Sequence, residues 1–268
     1  MLRLIGRECP PPKHYVRSNA EQHWLKLIQF SQKFRLTRHI GFCKNFNGGF
    51  TLAEVLITLG IIGVVAAITM PALISNYQKK LTVTRLKEAY NRLSQTIEYS
   101  QLENSSTQDW ANVSNQEVVE GTDPITPFVE TYITPYLKNV IIHGKKSPAQ
   151  IGIKEYYRFL NGTFHSGIWH TSPYIIEMSN GQTLFFLYNT FQGTYREVLI
   201  YIDINGARNK PNKSGRDLFL FSLNFNNGFI SPWGKADAEN CKNKNNDGQT
   251  CAAKIINDGW QIKEDYPW

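Results

Sequence analysis

The sequence predicts an α+β fold in which a long N-terminal helix packs against a small antiparallel β-sheet. Two observations lead to this prediction. From residue 55 to residue 78 the chain has no charged residue, and this apolar run continues directly into a segment with helical periodicity. Further along, two apolar runs flank Asn180-Gly181, a dipeptide typical of the tight turn of a β-hairpin. With two further strand candidates, we expect a sheet of about four strands.

Residues 1–49 form a basic leader with no sustained periodicity. Nine of the 29 Lys and Arg residues and two of the 22 acidic residues lie here, so the leader carries the whole net charge of +7. Residues 50–268 hold 20 basic and 20 acidic side chains, and this neutrality argues against general nucleic-acid binding. The segment is either an unusually long cytoplasmic leader or the result of a start codon that lies further along. The sequence does not separate the two.

Residues 50–78 are expected to cross a membrane. The run is long enough for a spanning helix of about 20 residues. A secretory signal has a shorter apolar core and then a small-residue cleavage site, whereas this run leads into more helix. Basic residues ahead of a span hold that end in the cytoplasm, so the chain after residue 75 should face outward. We expect an interruption of the helix at Pro71, which has no backbone N–H.

Residues 79–103 form the amphipathic half of the same helix. Their apolar residues recur at steps of three and four, at Leu86, Tyr90, Leu93 and Ile97. At about 1.5 Å per residue the whole helix is roughly 80 Å long. Its first half suits lipid, and its second half suits packing on a domain.

Residues 104–268 are predicted to form a globular domain that combines a short helix with strands. Phe128, Tyr132 and Tyr136 have helical spacing in the segment 125–137. The hairpin at 174–188 is followed by strand candidates at 197–206 and 217–223.

The cysteines fall into two pairs on either side of the apolar run. Cys9 and Cys43 lie in the leader, while Cys241 and Cys251 lie near the C-terminus. If the C-terminal part is exported, the second pair closes a short loop in an oxidising compartment and predicts a disulfide. The alternative is two free thiols in a cytosolic protein. Zinc is disfavoured, because no second Cys or His pair lies at metal-binding spacing.

The stretch "GGFTLAEVLITLGIIGVVAAITMPAL" at residues 48–73 contains a single charged residue, Glu54. This stretch strongly resembles the N-terminal signal of type IV pilins and type II secretion pseudopilins. The resemblance is close over residues 48–80 and implies a pilin-like arrangement for the rest. It implies that a prepilin peptidase cuts between Gly49 and Phe50 and methylates the new terminus at Phe50. It also implies that Gly63 and Pro71 bracket a helix segment that loosens inside filaments.

The resemblance further implies that Glu54 pairs with the terminal amine of a neighbouring subunit. A carboxylate within an apolar run is costly, on the order of 2.5–3.5 kcal/mol at a bilayer centre. An opposite charge contributed by another copy would offset that cost and set the axial register of assembly. The alternative is that Glu54 extends to the cytoplasmic interface of a monomeric anchor and contributes nothing specific.

We therefore predict a structural subunit of a type II secretion pseudopilus or type IV pilus-like filament, and favour the pseudopilin. Implied partners are other copies, related pilins, the prepilin peptidase and an assembly platform in the inner membrane. The expected location is a single pass through that membrane with an extracytoplasmic C-terminal domain, and then the filament. Two alternatives remain open: an adhesive, ligand-binding subunit at a filament tip, and a membrane-anchored protein that does not polymerise.

A calcium site is predicted in the segment 203–217. Asp203, Asn205 and Asp217 supply hard oxygen ligands around glycine turns, and major pseudopilins hold calcium in a C-terminal loop. The segment is not an EF-hand, because Ser214 stands where the bidentate glutamate is needed. The alternative is that these residues only form the turn between two strands.

No catalytic motif accompanies these features, so we predict that the protein is not an enzyme. The sequence lacks HExxH, a P-loop and GxSxG. His165 and His170 flank "SGIW", but histidines beside aromatic residues are usually packed in a core. Four tryptophans are either carbohydrate-binding or packing residues: Trp169, Trp233, Trp260 and Trp268.

Overall fold

A computed structural model describes residues 50–110, 121–191, 194–243 and 245–268 of the chain. The basic leader, with Gly49, Cys9 and Cys43, lies outside the described residues. The helices are α1 (Leu52–Asn104), α2 (Ile125–Tyr132), α3 (Ser166–His170) and α4 (Cys251–Asn257). The strands are β1 (Val140–Lys145), β2 (Tyr174–Met178), β3 (Thr183–Phe191), β4 (Thr194–Asp203), β5 (Leu218–Asn224) and β6 (Phe229–Pro232). Short 3₁₀ segments lie at Thr107–Asp109, Pro148–Ile151 and Lys235–Lys242.

The long helix is continuous, and the expected interruption at Pro71 is wrong. α1 runs from Leu52 to Asn104 with Pro71 inside it. Proline removes one i→i−4 hydrogen bond, but the bonds on either side keep the helical path.

The sheet has six strands in the order β1-β2-β3-β4-β5-β6, and each neighbouring pair is antiparallel. The predicted hairpin at Asn180-Gly181 is present, with Gly181 at φ +87° in the turn between β2 and β3. This turn is attached to α1, because Asn180 donates to the Glu88 carboxylate at 2.9 Å and buried Gln182 donates to the Arg85 carbonyl at 2.8 Å. The prediction of an α+β fold is confirmed, with two strands more than expected.

The two additional strands are the edges of the sheet. β1 contains a bulge between Ile142 and Gly144, and β6 has four residues and ends at Pro232. Short, irregular edge strands carry a weak periodic signal and are easily overlooked in a sequence.

Both faces of the sheet are covered. On one face, Leu86, Leu93 and Ile97 of α1 pack in a core with Phe186 and Phe221. On the other face, Tyr157 and Ile168 from the segment before β2 pack with Phe185. Burial on both sides explains why the strands read as continuous apolar runs rather than as alternating ones.

Residues 59–268 form one compact unit, but the first part of α1 contributes little to its core. The buried residues of α1 begin at Thr82 and end at Ser100. Large apolar side chains earlier in the helix, such as Leu59, Ile62 and Leu73, are more than 60 % exposed. The amphipathic half of the helix therefore packs on the sheet, while the apolar side chains before it are mostly exposed.

Candidate functional site

The start of α1 is fixed by a reciprocal pair of side-chain hydrogen bonds between Thr51 and Glu54. The backbone N–H and the hydroxyl of Thr51 both donate to Oε2 of Glu54, at 2.9 and 2.8 Å. The backbone N–H of Glu54 donates in return to the Thr51 hydroxyl oxygen at 3.2 Å. This arrangement is a capping box. Its signal, T-x-x-E in "TLAE", is present in the sequence and was not predicted.

The capping box gives Glu54 a local role that involves only one of its two carboxylate oxygens. Both hydrogen bonds from Thr51 end on Oε2, and Oε1 has no hydrogen-bond partner among the described residues. The surrounding surface is apolar and exposed, including Leu52, Val55 and Leu56. Phe50, the expected mature terminus, is 88 % exposed. Among the described residues, one carboxylate oxygen of Glu54 is therefore left without a partner.

The helix after Glu54 presents an apolar surface in which two positions, Gly60 and Gly63, have no side chain. In the described part of the chain, α1 is the one helix long and apolar enough to cross a membrane, and its most apolar stretch is not buried. A Cβ placed on Gly60 or Gly63 would meet no atom within 4 Å. Nothing within the described fold requires glycine at these positions. Small residues on a membrane helix allow a second helix to approach closely.

The predicted disulfide between Cys241 and Cys251 is present, and both cysteines are completely buried. Gly215 lies against it, with φ +76°, and a Cβ there would come within 2.8 Å of the Cys251 sulfur. The Tyr266 hydroxyl donates to the Gly215 carbonyl at 2.6 Å. The disulfide therefore packs against the loop between β4 and β5, and the Tyr266 hydrogen bond fastens the end of the chain to the same loop.

A buried lysine adds an ionic connection to the same region. The Lys254 side chain is 4 % exposed and contacts the carboxylates of Asp258 and Asp265. Burial alone would lower the pKa of Lys254, but the hydrogen bonds from its ammonium to these two carboxylates outweigh burial and raise the pKa. Lys254 therefore stays charged and holds α4 to the C-terminal segment.

The residues predicted to bind calcium lie together at the ends of β4 and β5. Asp203 accepts from the Tyr157 hydroxyl at 2.6 Å and from the Asn205 N–H at 3.1 Å. Asp217 accepts from the backbone N–H groups of Asn212 and Lys213 at 2.7 and 2.6 Å. Burial, and then the charge of Asp217, raises the pKa of Asp203 to about 8. Burial raises the pKa of Asp217 to about 6.

This cluster has the donor chemistry of a hard cation site but is small. The amide oxygens of Asn205 and Asn212 are buried and have no hydrogen-bond partner in the part of the chain that the structure describes. Unsatisfied buried oxygens beside two carboxylates are what a bound ion would complete. Among the same residues, no group of three or more His, Cys, Asp or Glu side chains is placed to hold a metal. A cation here would depend on the two carboxylates and on amide or carbonyl oxygens.

The structure does not bring His165 and His170 into one site. His165 is 1 % exposed, stacks on Phe159 with ring centres 4.2 Å apart, and has a pKa lowered to about 4 by burial. His170 contacts Phe164 instead. The four tryptophans are all partly buried against one of the two cores, Trp169 and Trp233 on one face and Trp260 and Trp268 on the other.

Comparison with known proteins gives two matches that together cover most of the chain. Residues 44–70 match the model of the prokaryotic N-terminal methylation motif. Residues 72–268, more than half of the chain, match the model of a family of unknown function, DUF6613. No curated protein and no solved structure matches the chain.

The methylation motif supports the resemblance to type IV pilins and pseudopilins, and it indicates a precursor that prepilin peptidase processes. It points to a structural subunit that is anchored in a membrane and assembles with other pilins. The two matches meet at Pro71, so the pilin-type signal leads directly into the family-specific part. The chain belongs to the family of unknown function DUF6613 and carries the N-terminal segment of a pilin-type precursor.

Proposed function

We propose that this protein is a structural subunit of a type II secretion pseudopilus or a type IV pilus-like filament. In this proposal the leader 1–49 is removed by a cut between Gly49 and Phe50. Residues 50–78 anchor the subunit in the inner membrane and later form the filament core, while residues 104–268 face outward. The observation that carries the proposal is a pilin-type motif on an exposed apolar run whose single carboxylate, Glu54, has one oxygen without a hydrogen-bond partner among the described residues.

The chemistry of assembly follows from Thr51 and Glu54. Cleavage before Phe50 creates an ammonium group next to an apolar surface. Thr51 already holds Oε2 of Glu54, which fixes the direction of the carboxylate and leaves Oε1 for a charge from another copy. Two opposite charges that meet between apolar helices offset the desolvation that each has undergone. The pair therefore favours assembly in one register.

The helix surface would supply the rest of the assembly energy. The exposed aliphatic side chains from Leu52 to Ile74 find no cover within the described residues. Gly63 leaves a gap in which a second helix can approach. In this proposal Gly63 and Pro71 bound the segment that adjusts when subunits leave the membrane and pack into a fibre.

The test is a pair of substitutions that separate the charge of Glu54 from its capping role. Glu54→Gln keeps an acceptor for the Thr51 N–H, since glutamine also forms capping boxes, but removes the charge. Thr51→Val keeps the charge and removes the hydroxyl from the cap. Both variants are expressed in bacteria with a prepilin peptidase and an assembly platform. Product mass, N-terminal sequence and the yield of sheared filaments are then measured.

We expect all three proteins to be cut before Phe50, because neither substitution alters the Gly-Phe junction. Glu54→Gln should lose filaments almost completely, and Thr51→Val should retain them. Filaments that survive Glu54→Gln but are lost in Thr51→Val would mean that the carboxylate acts only as a cap. A wild-type chain that is processed and never assembles would be a non-polymerising anchor, and the proposal would fail.

We also propose that calcium binds at Asp203, Asn205 and Asp217. The two buried carboxylates repel each other when both are ionised, and a divalent cation would remove that repulsion. The unpartnered oxygens of Asn205 and Asn212 support the same proposal. Its test is combined with the pH dependence in the Discussion.

A further inference from the structure

A groove in the globular unit lies directly beyond the end of the apolar run. It has a volume of about 610 Å³ and lies between α1 and the segment that follows α4. One wall consists of Asn76, Lys79, Lys80 and Val83, and the other includes Trp260 and Ile262. No acidic residue lines it. The groove therefore combines two basic side chains with apolar ones.

The two lysines have no counter-ion of their own. Neither Lys79 nor Lys80 forms an ion pair within the described part of the chain. Four residues further along the helix stand Val83 and Thr84, which offer no charge in return. Two neighbouring ammonium groups without an acid attract an anion from outside the chain.

The opposite wall is built around a tryptophan held in place by its neighbours. Trp260 follows Gly259, and both residues have positive φ, +59° and +75°. A bulky residue in the left-handed region is uncommon and needs support from the fold. That support comes from Tyr90, whose ring centre is 5.5 Å from the Trp260 ring, and from the Lys87 ammonium at 5.7 Å. The indole is fixed at the groove, and its N–H has no hydrogen-bond partner among the described residues.

The position along the helix identifies the surroundings of this groove. Residues 55–78 give about 36 Å of helix at 1.5 Å per residue, compared with a hydrocarbon layer of about 30 Å. Lys79 therefore lies near the depth of the lipid headgroups. Tryptophan and lysine are the residues that concentrate at this depth, because each combines an apolar body with a polar end.

We propose that this groove binds the headgroup of an anionic phospholipid of the membrane that anchors the helix. The phosphate contacts Lys79 and Lys80, while the upper part of an acyl chain lies against Val83, Trp260 and Ile262. An anionic lipid is favoured over a zwitterionic one, because the choline or ethanolamine cation would lie against two uncompensated lysines. The proposal rests on the membrane anchoring in the proposed function but not on filament assembly. The bound lipid would hold the globular unit against the membrane until the subunit is extracted.

The test uses the full chain in nanodiscs that contain one copy each. Phosphatidylglycerol or phosphatidylcholine, brominated near the headgroup end of the acyl chains, is added at the same mole fraction. Quenching of Trp260 fluorescence is obtained as the difference between the wild type and Trp260→Phe. The variants are Lys79→Gln and Lys80→Gln, singly and together. The matched control is Lys146→Gln with Lys154→Gln, which removes the same charge from exposed lysines elsewhere.

We expect stronger quenching by brominated phosphatidylglycerol, with the preference falling about fivefold for each lysine removed and unchanged in the control. Equal quenching by both lipids would overturn the proposal, and so would a preference that survives the double substitution. The same measurement is made in nanodiscs that contain two copies. Quenching that is seen with one copy and absent with two would mean that a second subunit covers the groove, and would assign it to a subunit contact instead. Native mass spectrometry, which counts retained phosphatidylglycerol without using Trp260, gives a second measurement if Trp260→Phe fails to fold.

Membrane insertion is measured separately by flotation. A chain that inserts but does not assemble contradicts the filament function and leaves the lipid result readable. A chain that inserts and shows no preference for phosphatidylglycerol overturns the lipid proposal alone.

Discussion

Two stretches of α1 have similar aliphatic residues and opposite surroundings. Leu56 and Leu59 are about 60 % exposed, whereas Leu86 and Leu93 are completely buried against the sheet. The first stretch is apolar on every side of the helix. The second places its apolar residues on one stripe, with charged residues such as Lys87 and Arg92 between them.

The difference shows that pattern, more than hydrophobicity, decides which partner a helix takes. A stripe matches a single face, such as the sheet of this protein. A helix that is apolar all round matches lipid or other helices, and the described residues cover this stretch with neither. The buried stretch therefore acts in folding, while the exposed stretch acts in anchoring and assembly. Four predictions test this division.

The largest expected effect compares the same substitution in the two stretches. Leu93→Ala should lower the free energy of unfolding by about 2–5 kcal/mol, because it leaves a cavity in the core. Leu59→Ala should change it by less than about 0.5 kcal/mol, since its side chain is mostly exposed and is not part of the core. Thermal unfolding of the full chain in detergent, followed by circular dichroism, measures both. Similar losses in the two variants would contradict the division.

The second prediction concerns the disulfide and α4, which pack in the same core as the buried stretch. Cys251 opens α4, whose Ala252 and Ile255 belong to the same core as Leu86. Replacing Cys241 and Cys251 by serine should cost about 2–3 kcal/mol, because the unfolded chain is no longer constrained. Urea unfolding of the unprocessed chain, which keeps Cys43, measures the loss, and Cys43→Ser serves as the control. If the double variant is as stable as the control, the disulfide is dispensable for folding.

Local signals in the sequence were sufficient for much of this architecture. The stripe of Leu86, Leu93 and Ile97 predicted the helix face that is buried, and Asn180-Gly181 predicted the hairpin. Glu54 shows the limit of such reasoning even at short range. Its position in an apolar run suggested an intermolecular partner, while the capping box with Thr51, whose signal is equally local, was not predicted.

Other features depend on contacts far apart in the chain and were beyond prediction. Asp203 and Asp217 were predicted as ligands, but the buried Tyr157 hydroxyl that donates to Asp203 comes from a loop 46 residues away. The cover on the second face of the sheet has the same origin. The groove at Lys79 also depends on a distant residue, because Trp260 reaches α1 only through the fold of the C-terminal segment.

The third prediction concerns the buried carboxylates of Asp203 and Asp217 at the ends of β4 and β5. The pKa of Asp203 is raised in the folded state, so the folded chain keeps a proton that the unfolded chain releases. Stability without calcium should therefore fall as the pH rises from about 4, the unfolded pKa, to about 8. Asp203→Asn should flatten this slope and be more stable than the wild type at pH 8. Melting temperatures across this range measure it.

Calcium should act at the same place and in the opposite direction. At pH 8, millimolar calcium should raise the melting temperature of the wild type by several degrees and leave Asp203→Asn unchanged. Asp237→Asn, at an exposed carboxylate, is the control. If stability depends on pH in this way but does not respond to calcium, the buried carboxylates have raised pKa values and do not form a calcium site.

The smallest effect on the subunit, and the sharpest test of the exposed stretch, is expected for Gly63→Ala. A Cβ at Gly63 meets no atom within 4 Å, so the globular unit should melt at the same temperature. Alanine favours the helix by about 1 kcal/mol relative to glycine, so the segment before Pro71 should become harder to loosen. If neighbouring helices approach at Gly63, the added methyl group also separates them. Filament yield should therefore fall while processing and melting temperature stay constant, and Gly60→Ala shows whether the effect belongs to this position. A Gly63→Ala protein that assembles as well as the wild type would mean that the exposed stretch packs through its larger side chains alone.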